Sequence, residues 1–575
     1  MACRSSPATG PRPAPHQRRH PSRYRMSLLR PSRTRRLHPL ALLAALAALL
    51  IALPIAQVAG SLLVPSGDTW RHLADTVLAE YVGNTLWLLI GVGAGVLLVG
   101  VPSAWLVSTY RFTGRAWLEW ALVLPLAMPA YVIAYAYTDA LQFAGPVQSW
   151  LREATGWRAR EYWFPDIRSL GGAVVLFTLV LYPYVYLTAR AAFLQQTLNT
   201  LEAARLLGYG TWGSVWRVML PLARPGIVAG TALALMETLA DFGTVAYFGI
   251  PTFSTGIYRA WFSLGDKNAA AQLSACMLVF VIGILLVERA SRGRARVHGG
   301  QRRAPAYRLR GWRAALALLV CAVPVLLGFA IPALMLCKMA LAEGDAQFGP
   351  RFVGLVRNSF LLASVTALIA VLAALVIGYA GRGMAAGAGW LLRALTRVCG
   401  MGYALPGSVV AVGVLVPVAR LDNAMSTWLQ QHLGWSAGLL LTGGIAALVY
   451  AYLVRFLGVA LQTVNAGLVK ITPGMDAAAR SLGHGPGATL RRVHLPMLRG
   501  SLLTAALIVF VDVMKELPAT FVMRPFNFDT LAVQAYNLAS DERLAEAATA
   551  SLVIVAVGLL PVILLSRSIR RDARE

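Results

Sequence analysis

Four acidic side chains lie inside two of the most apolar stretches of this 575-residue chain: Glu237 and Asp241 within 225–248, and Asp512 and Glu516 within 500–523. Carboxylate oxygens are the ligand type that suits a hard, highly charged cation. Ionisable groups at membrane depth usually face the interior of a helix bundle and mark a pathway. Each pair is spaced i, i+4, which on a helix puts both carboxylates on one face. Two readings stand side by side. In one, the four acids line a translocation path and touch a passing metal cation transiently, with no fixed metal site. In the other, they pair with Lys515 and nearby polar groups to fix helix packing, or sit near the exterior mouth. Tyr131, Tyr135, Tyr137, Tyr182, Tyr184 and Tyr186 add phenol oxygens able to ligate ferric iron, yet near span ends they are expected to form interfacial aromatic belts. His484 and His494 have no ligand partner at useful spacing and read as surface residues.

The elements that must position these groups are membrane spans. The chain is 57% hydrophobic and only 13% charged, with a mean hydropathy of +0.62, far from the balance of a soluble domain. Stretches free of Asp, Glu, Lys and Arg occur at 39–67, 81–110, 122–138, 169–189, 268–287, 314–337, 358–381, 398–419, 423–454 and 547–566. Most reach the roughly 20 residues needed to cross the hydrocarbon. Together with the two acid-bearing segments they make twelve spans. The first apolar stretch is long enough to span, so a cleavable signal peptide is not expected. Five scattered cysteines lack metal-ligand spacing and read as small core residues.

The net charge of +27 follows membrane topology and implies no nucleic-acid partner. Residues 1–38 hold ten Arg and no acid, and 289–313 hold nine Arg and no acid. Threading twelve helices from an interior N-terminus puts these segments, the loops near 197–224 and 464–499 and the tail inside, where anionic lipid is their neighbour. The opposite loops are nearly balanced, and Trp150, Trp157, Trp163 and Phe526 in them suit either a docking protein or the membrane surface. The segment 1–38, rich in Arg, Pro and Ser, is expected to be disordered, and Met26 is an alternative start. The implied organisation is a basic tail over 1–38, a six-helix module over 39–288, a basic linker over 289–313, a second module over 314–567 and a tail over 568–575.

Sliding the sequence over itself by 275 residues matches the two halves. Glu202-Ala203-Ala204-Arg205-Leu206-Leu207-Gly208 falls on Ala477-Ala478-Ala479-Arg480-Ser481-Leu482-Gly483, and Leu220-Pro221 falls on Leu495-Pro496. Glu237 falls on Asp512 and Asp241 on Glu516. These are two copies of one unit. An even number of spans per copy sets both the same way up, about a pseudo-twofold axis along the membrane normal. In the shared loop, Gly208 and Gly483 suit a left-handed helix stop. Thr211 can cap a second short helix ending before Pro221, and Thr472-Pro473 can open the first short helix of the second copy.

The spacing from Glu202, Ala203 and Ala204 through Gly208 to Leu220-Pro221 resembles the EAA loop of bacterial ABC-importer permeases. That resemblance implies the type I importer permease fold: an all-α integral membrane protein of about twelve transmembrane helices in two parallel six-helix repeats, in the bacterial inner membrane with both termini cytoplasmic. It also implies a coupling helix docked on each of two cytoplasmic ATPase subunits. The second copy departs, since Ala477 stands at the Glu position with Asp476 one residue earlier, and the two ATPase contacts are expected to be unequal. The stretches 236–258 and 512–545 are similar to those of ferric-iron permeases with two fused halves. The similarity covers 40–570 and implies ferric iron as substrate and a periplasmic iron-binding protein as donor. Thiamine and phosphonate permeases are relatives. The chain has no phosphate-binding Gly-x-x-x-x-Gly-Lys-Ser/Thr, so it is not expected to be an enzyme; it binds no cofactor of its own, and ATP is used by the partner. A twelve-span secondary transporter is the alternative class, and the repeated loop has no task there.

Overall fold

The computed structural model describes residues 39–64, 67–158, 161–194, 206, 208–291, 307–343, 349–383, 398–400, 402–436 and 438–574. The segment 1–38 with Met26, and Glu202, Ala203 and Ala204, lie outside them. Among the described residues, eleven helices are long and apolar enough to cross a bilayer, and one bent pair makes twelve. In chain order they are α1 (Leu42–Leu63), α2 (Leu78–Thr109), the bent α3 (Arg115–Ala127 and Ala130–Thr155), α4 (Leu170–Leu194), α5 (Val215–Ala240), α6 (Lys267–Ser291), α7 (Trp312–Ala342), α8 (Pro350–Ala380), α9 (Gly407–Leu433), α10 (Ala446–Val469), α11 (Gly487–Met514) and α12 (Leu544–Leu564). The charge-free run 423–454 is therefore not one span. It holds the end of α9, a loop after Gly434, and the start of α10.

The bend in α3 is 91° and has a local cause. Pro129 has no N–H to continue a helix, and both Met128 and Pro129 are extended. The same break recurs in the second repeat, where Pro406 is extended just before α9.

Within each repeat, three helices pack on one another: α2 with α4 and α5, and α8 with α10 and α11. Lipid tails are as apolar as leucine, so small residues that let backbones approach drive such packing. A Cβ on Gly95 would fall 2.2 Å from Thr178 Oγ1, and one on Gly230 would fall 2.2 Å from Thr188 Oγ1. The opening helix of each repeat crosses to the other: α1 packs on α8 and α9, and α7 on α2, α3 and α4. The centre is reached at α10, 72% of whose apolar window is buried, against 28% for α1 and α7. From the linker, Tyr307–Arg308 (β2) pairs in parallel with Tyr110–Arg111 (β1). Cys321 and Cys399 are buried as expected of core residues, Cys276 is half-buried and Cys337 is exposed.

The entry to α5 corrects the expected loop. The helix starting at Thr211 does not end before Pro221; it runs unbroken into α5, widening to π-type turns over Val215–Met219. The second repeat does the same over Leu490–His494. Pro221 and Pro496 cannot donate to the carbonyl four residues back, so the preceding turn relaxes instead of breaking.

Candidate functional site

The helix carrying Glu237 stops at Ala240, and the one carrying Asp512 stops at Met514. Gly243 and Pro518, equivalent in the repeat, open new short helices at Gly243–Tyr247 and Pro518–Met523. Glycine is a poor helix former, and proline is favoured at a first helical turn but not inside a helix. Asp241 and Glu516 therefore do not share a helix face with Glu237 and Asp512. Each sits in the break and turns its carboxylate onto the free amides of the next helix. Asp241 Oδ1 accepts from Thr244 N at 2.8 Å and its Oδ2 from Thr244 Oγ1 at 3.2 Å. Glu516 accepts from Ala519 N at 2.9 Å, Thr520 N at 3.1 Å and Thr520 Oγ1 at 2.8 Å. Both carboxyl groups cap the next helix in the same register.

All four acids line one cavity of about 110 Å³, bounded by α3, α4, α5, α10, α11 and the breaks. Arg455 and Lys515 line it too, leaving a formal excess of two negative charges. Arg455 Nη1 meets Glu516 Oε1 at 2.9 Å with both side chains nearly sealed from solvent, and Lys515 Nζ meets Asp512 Oδ1 at 2.9 Å. The Glu237 carboxylate makes no ion pair or hydrogen bond among the described residues, and only its backbone carbonyl accepts, from Asp241 N at 3.1 Å. No cluster of three or more His, Cys, Asp or Glu among them has the geometry to hold a metal ion. Tyr131, Phe177, Tyr184, Tyr403 and Phe456 add aromatic wall, and behind Asp241 Phe242 stacks on Tyr258 at 3.7 Å and meets Phe521 and Tyr536 of the other repeat.

Pairing of acids with Lys515 thus applies to Asp512 alone. Arg455 escaped the sequence reading because a search for charge-free runs treats it as the end of 423–454, although it is the single charge in α10. Membrane depth, applied to it as to the acids, was signal enough. The tyrosines form no interfacial belt. Tyr131, Tyr135, Tyr137, Tyr182 and Tyr186 are at most 8% exposed, and Tyr131 and Tyr184 line the cavity. The hydroxyls of Tyr137 and Tyr186 donate to carbonyls, Leu327 O at 2.6 Å and Glu119 O at 2.8 Å, whereas those of Tyr135 and Tyr182 are buried without a hydrogen-bond partner among the described residues. Trp150, Trp157, Trp163 and Phe526 are exposed.

In the second loop a helix spans Pro473–Ser481 from Thr472 at the N-cap position, Gly483 is left-handed at φ 78°, and Gly208 repeats this at φ 79°. Ala477, Ala478 and Pro496 are exposed, as are Gly208 and Pro221, while Leu220 and Leu495 are half-buried. His494 is no surface residue: it is 1% exposed, its ring lies tilted against Tyr379, and its Nε2 meets Asp476 Oδ1 at 2.8 Å. The first repeat has Leu201 and Met219 at these positions.

Two copies of one helical unit, swapped at their opening helices and closing a charged cavity between them, define a membrane translocation pore. The sequence pattern described as "Binding-protein-dependent transport system inner membrane component" matches residues 96–292 and again 379–574. The chain belongs to this family of ABC-importer permeases. It is 25% identical over 85% of its length to the Fe(3+)-transport system permease protein FbpB 2 of Haemophilus influenzae, covering 90% of that protein. A probable ABC transporter permease, y4fN of Sinorhizobium fredii, is 24% identical over 78% of this chain and 80% of its own length. The molybdenum transport system permease ModB of Escherichia coli is 31% identical over 34% of this chain and 87% of its own length.

Proposed function

We propose that this chain is the channel subunit through which ferric iron, released by a periplasmic binding protein, enters the cytoplasm, driven by two ATPase subunits docked on its two cytoplasmic loops. The observation that carries the substrate is the cavity's charge: two acids from each repeat against two cations, with Glu237 unpaired. An excess of carboxylate lowers the cost of a hard cation at membrane depth and raises it for an anion. The similarity to a ferric-iron permease over most of both chains supports the same reading. The basic segments 1–38 and 289–313 support a topology with the N-terminus and the linker inside, and an even number of spans after them would put the C-terminus there too. Cells lacking the chain are expected to lose uptake of radioactive iron while keeping molybdate and phosphonate uptake. Normal iron uptake alongside a molybdate defect would overturn the substrate, and Arg455 and Lys515 would then be its ligands.

The loops are the coupling elements in this reading, and they are unequal. On the second side, the Asp476–His494 pair ties the exposed helix Pro473–Ser481 to the foot of α11, so motion of the docked ATPase is passed to the helix bearing Asp512. His494→Met, which copies the first repeat, should lower iron taken up per ATP hydrolysed several-fold without reducing assembly. An unchanged ratio in proteoliposomes would remove the pair from the coupling path.

A further inference from the structure

The cavity is symmetric in position and asymmetric in charge. The repeat shift sets Lys515 on Ala240 and Arg455 on Val180, and both apolar counterparts line the same cavity. Both cations therefore come from the second repeat, whereas the acids are shared two and two. The cations are also held differently. Arg455 is paired with a carboxylate whose oxygens already accept from two amides and a hydroxyl, in a nearly sealed setting. A planar guanidinium in such a place is fixed. Lys515 makes one ion-pair contact, its side chain is 31% exposed, and its ammonium is a compact charge on a flexible four-carbon stem. Asp512 has no other ion-pair partner among the described residues, and Glu237 has none.

We propose that Lys515 Nζ is a tethered stand-in for the substrate cation, a reading that rests on the cavity being a cation path. In the empty cavity the ammonium neutralises Asp512. An arriving ferric ion takes Asp512 and Glu237 together, and the ammonium swings away. Coulomb attraction scales with charge, so a trivalent ion wins this exchange. A monovalent ion gains no more from the carboxylates than the resident ammonium does and does not displace it. Lys515 is thus a specificity residue that works by exclusion, and it keeps an unpaired carboxylate pair from remaining in the path after each release.

Terbium(III), a hard trivalent ion whose luminescence is sensitised by nearby tyrosines such as Tyr184 and Tyr403, reports binding directly. It is titrated into the full chain with its ATPase partners in nanodiscs of neutral lipid, and the signal of the Glu237→Gln, Asp512→Asn double variant is subtracted. Lys515→Met is expected to bind terbium(III) at least ~10-fold more tightly than the wild type, since a competing unit charge at contact distance is removed. Lys515→Arg, which keeps the charge, should stay near the wild-type value. Binding in the wild type that Lys515→Met leaves unchanged or weakens overturns the stand-in role and leaves the cation path standing. Absence of terbium(III) binding in every form, with molybdate binding weakened by Lys515→Met, overturns both.

Discussion

Glu237→Gln combined with Asp512→Asn should cut ATP-driven iron uptake by about two orders of magnitude while the assembled complex still hydrolyses ATP. The scale comes from removing two unit charges a few ångströms from a multivalent ion, each interaction being worth several kcal/mol at an effective dielectric near 20. Hydrolysis survives because the coupling contacts are remote: His494 and Asp512 are separated by about 27 Å of continuous helix at 1.5 Å per residue. The single variants should rank. The Glu237 carboxylate has no contact ion pair among the described residues, so its neutralisation removes attraction for the passing ion without freeing a cation. Asp512 is already met by Lys515 at 2.9 Å, so Asp512→Asn also frees an ammonium that repels the ion. Both singles should therefore be impaired, with Asp512→Asn at least as severe as Glu237→Gln. Proteoliposome uptake with the iron-loaded binding protein, run beside ATPase assays, tests this. Full uptake in the double variant would take the acids out of the path.

How far the sequence carried the fold depended on which signal was local. The spans could be read because an apolar run of bilayer length has few alternatives, and the repeat because a shift of 275 residues aligns loop, acids and prolines together. The pairing of Glu237 with Asp512 and of Asp241 with Glu516 across one cavity was implied by that register. What failed were features decided by backbone hydrogen bonding. The i, i+4 rule presumed a helix through Asp241 and Glu516, yet Gly243 and Pro518 two residues later end it and recruit the carboxylates as caps. The opposite error occurred at Pro221, where a proline expected to end a helix only widened it. His494 was misjudged because its partner lies 18 residues away on the preceding helix, Pro473–Ser481, across a connection that spacing alone does not close. α1 and α7 pack across the other repeat, which no sequence period announces.

The largest structural effect is expected at a residue outside the coupling loops and the four acids. Arg455→Met leaves Glu516 as a charge in a nearly closed site. Breaking a buried ion pair from one side costs about 3–5 kcal/mol, because the remaining charge is uncompensated, and a whole domain has only some 5–15 kcal/mol of stability to lose. The three hydrogen bonds that Glu516 accepts from Ala519 and Thr520 place the loss at the lower end of that range. Arg455→Met should thus sharply reduce the monodisperse fraction in size-exclusion profiles and lower the thermal aggregation midpoint by several degrees. Glu516→Gln should be milder, since Arg455 keeps carboxylates within the same cavity while the cap loses one acceptor oxygen. The pairwise prediction is the discriminating one. In the Arg455→Met, Glu516→Gln double variant the buried charge is gone, so stability should recover above that of Arg455→Met alone, the non-additivity expected of residues in contact. Additive losses would mean that the pair does not hold the break in α11, and that the caps at Ala519 and Thr520 position Glu516 without it.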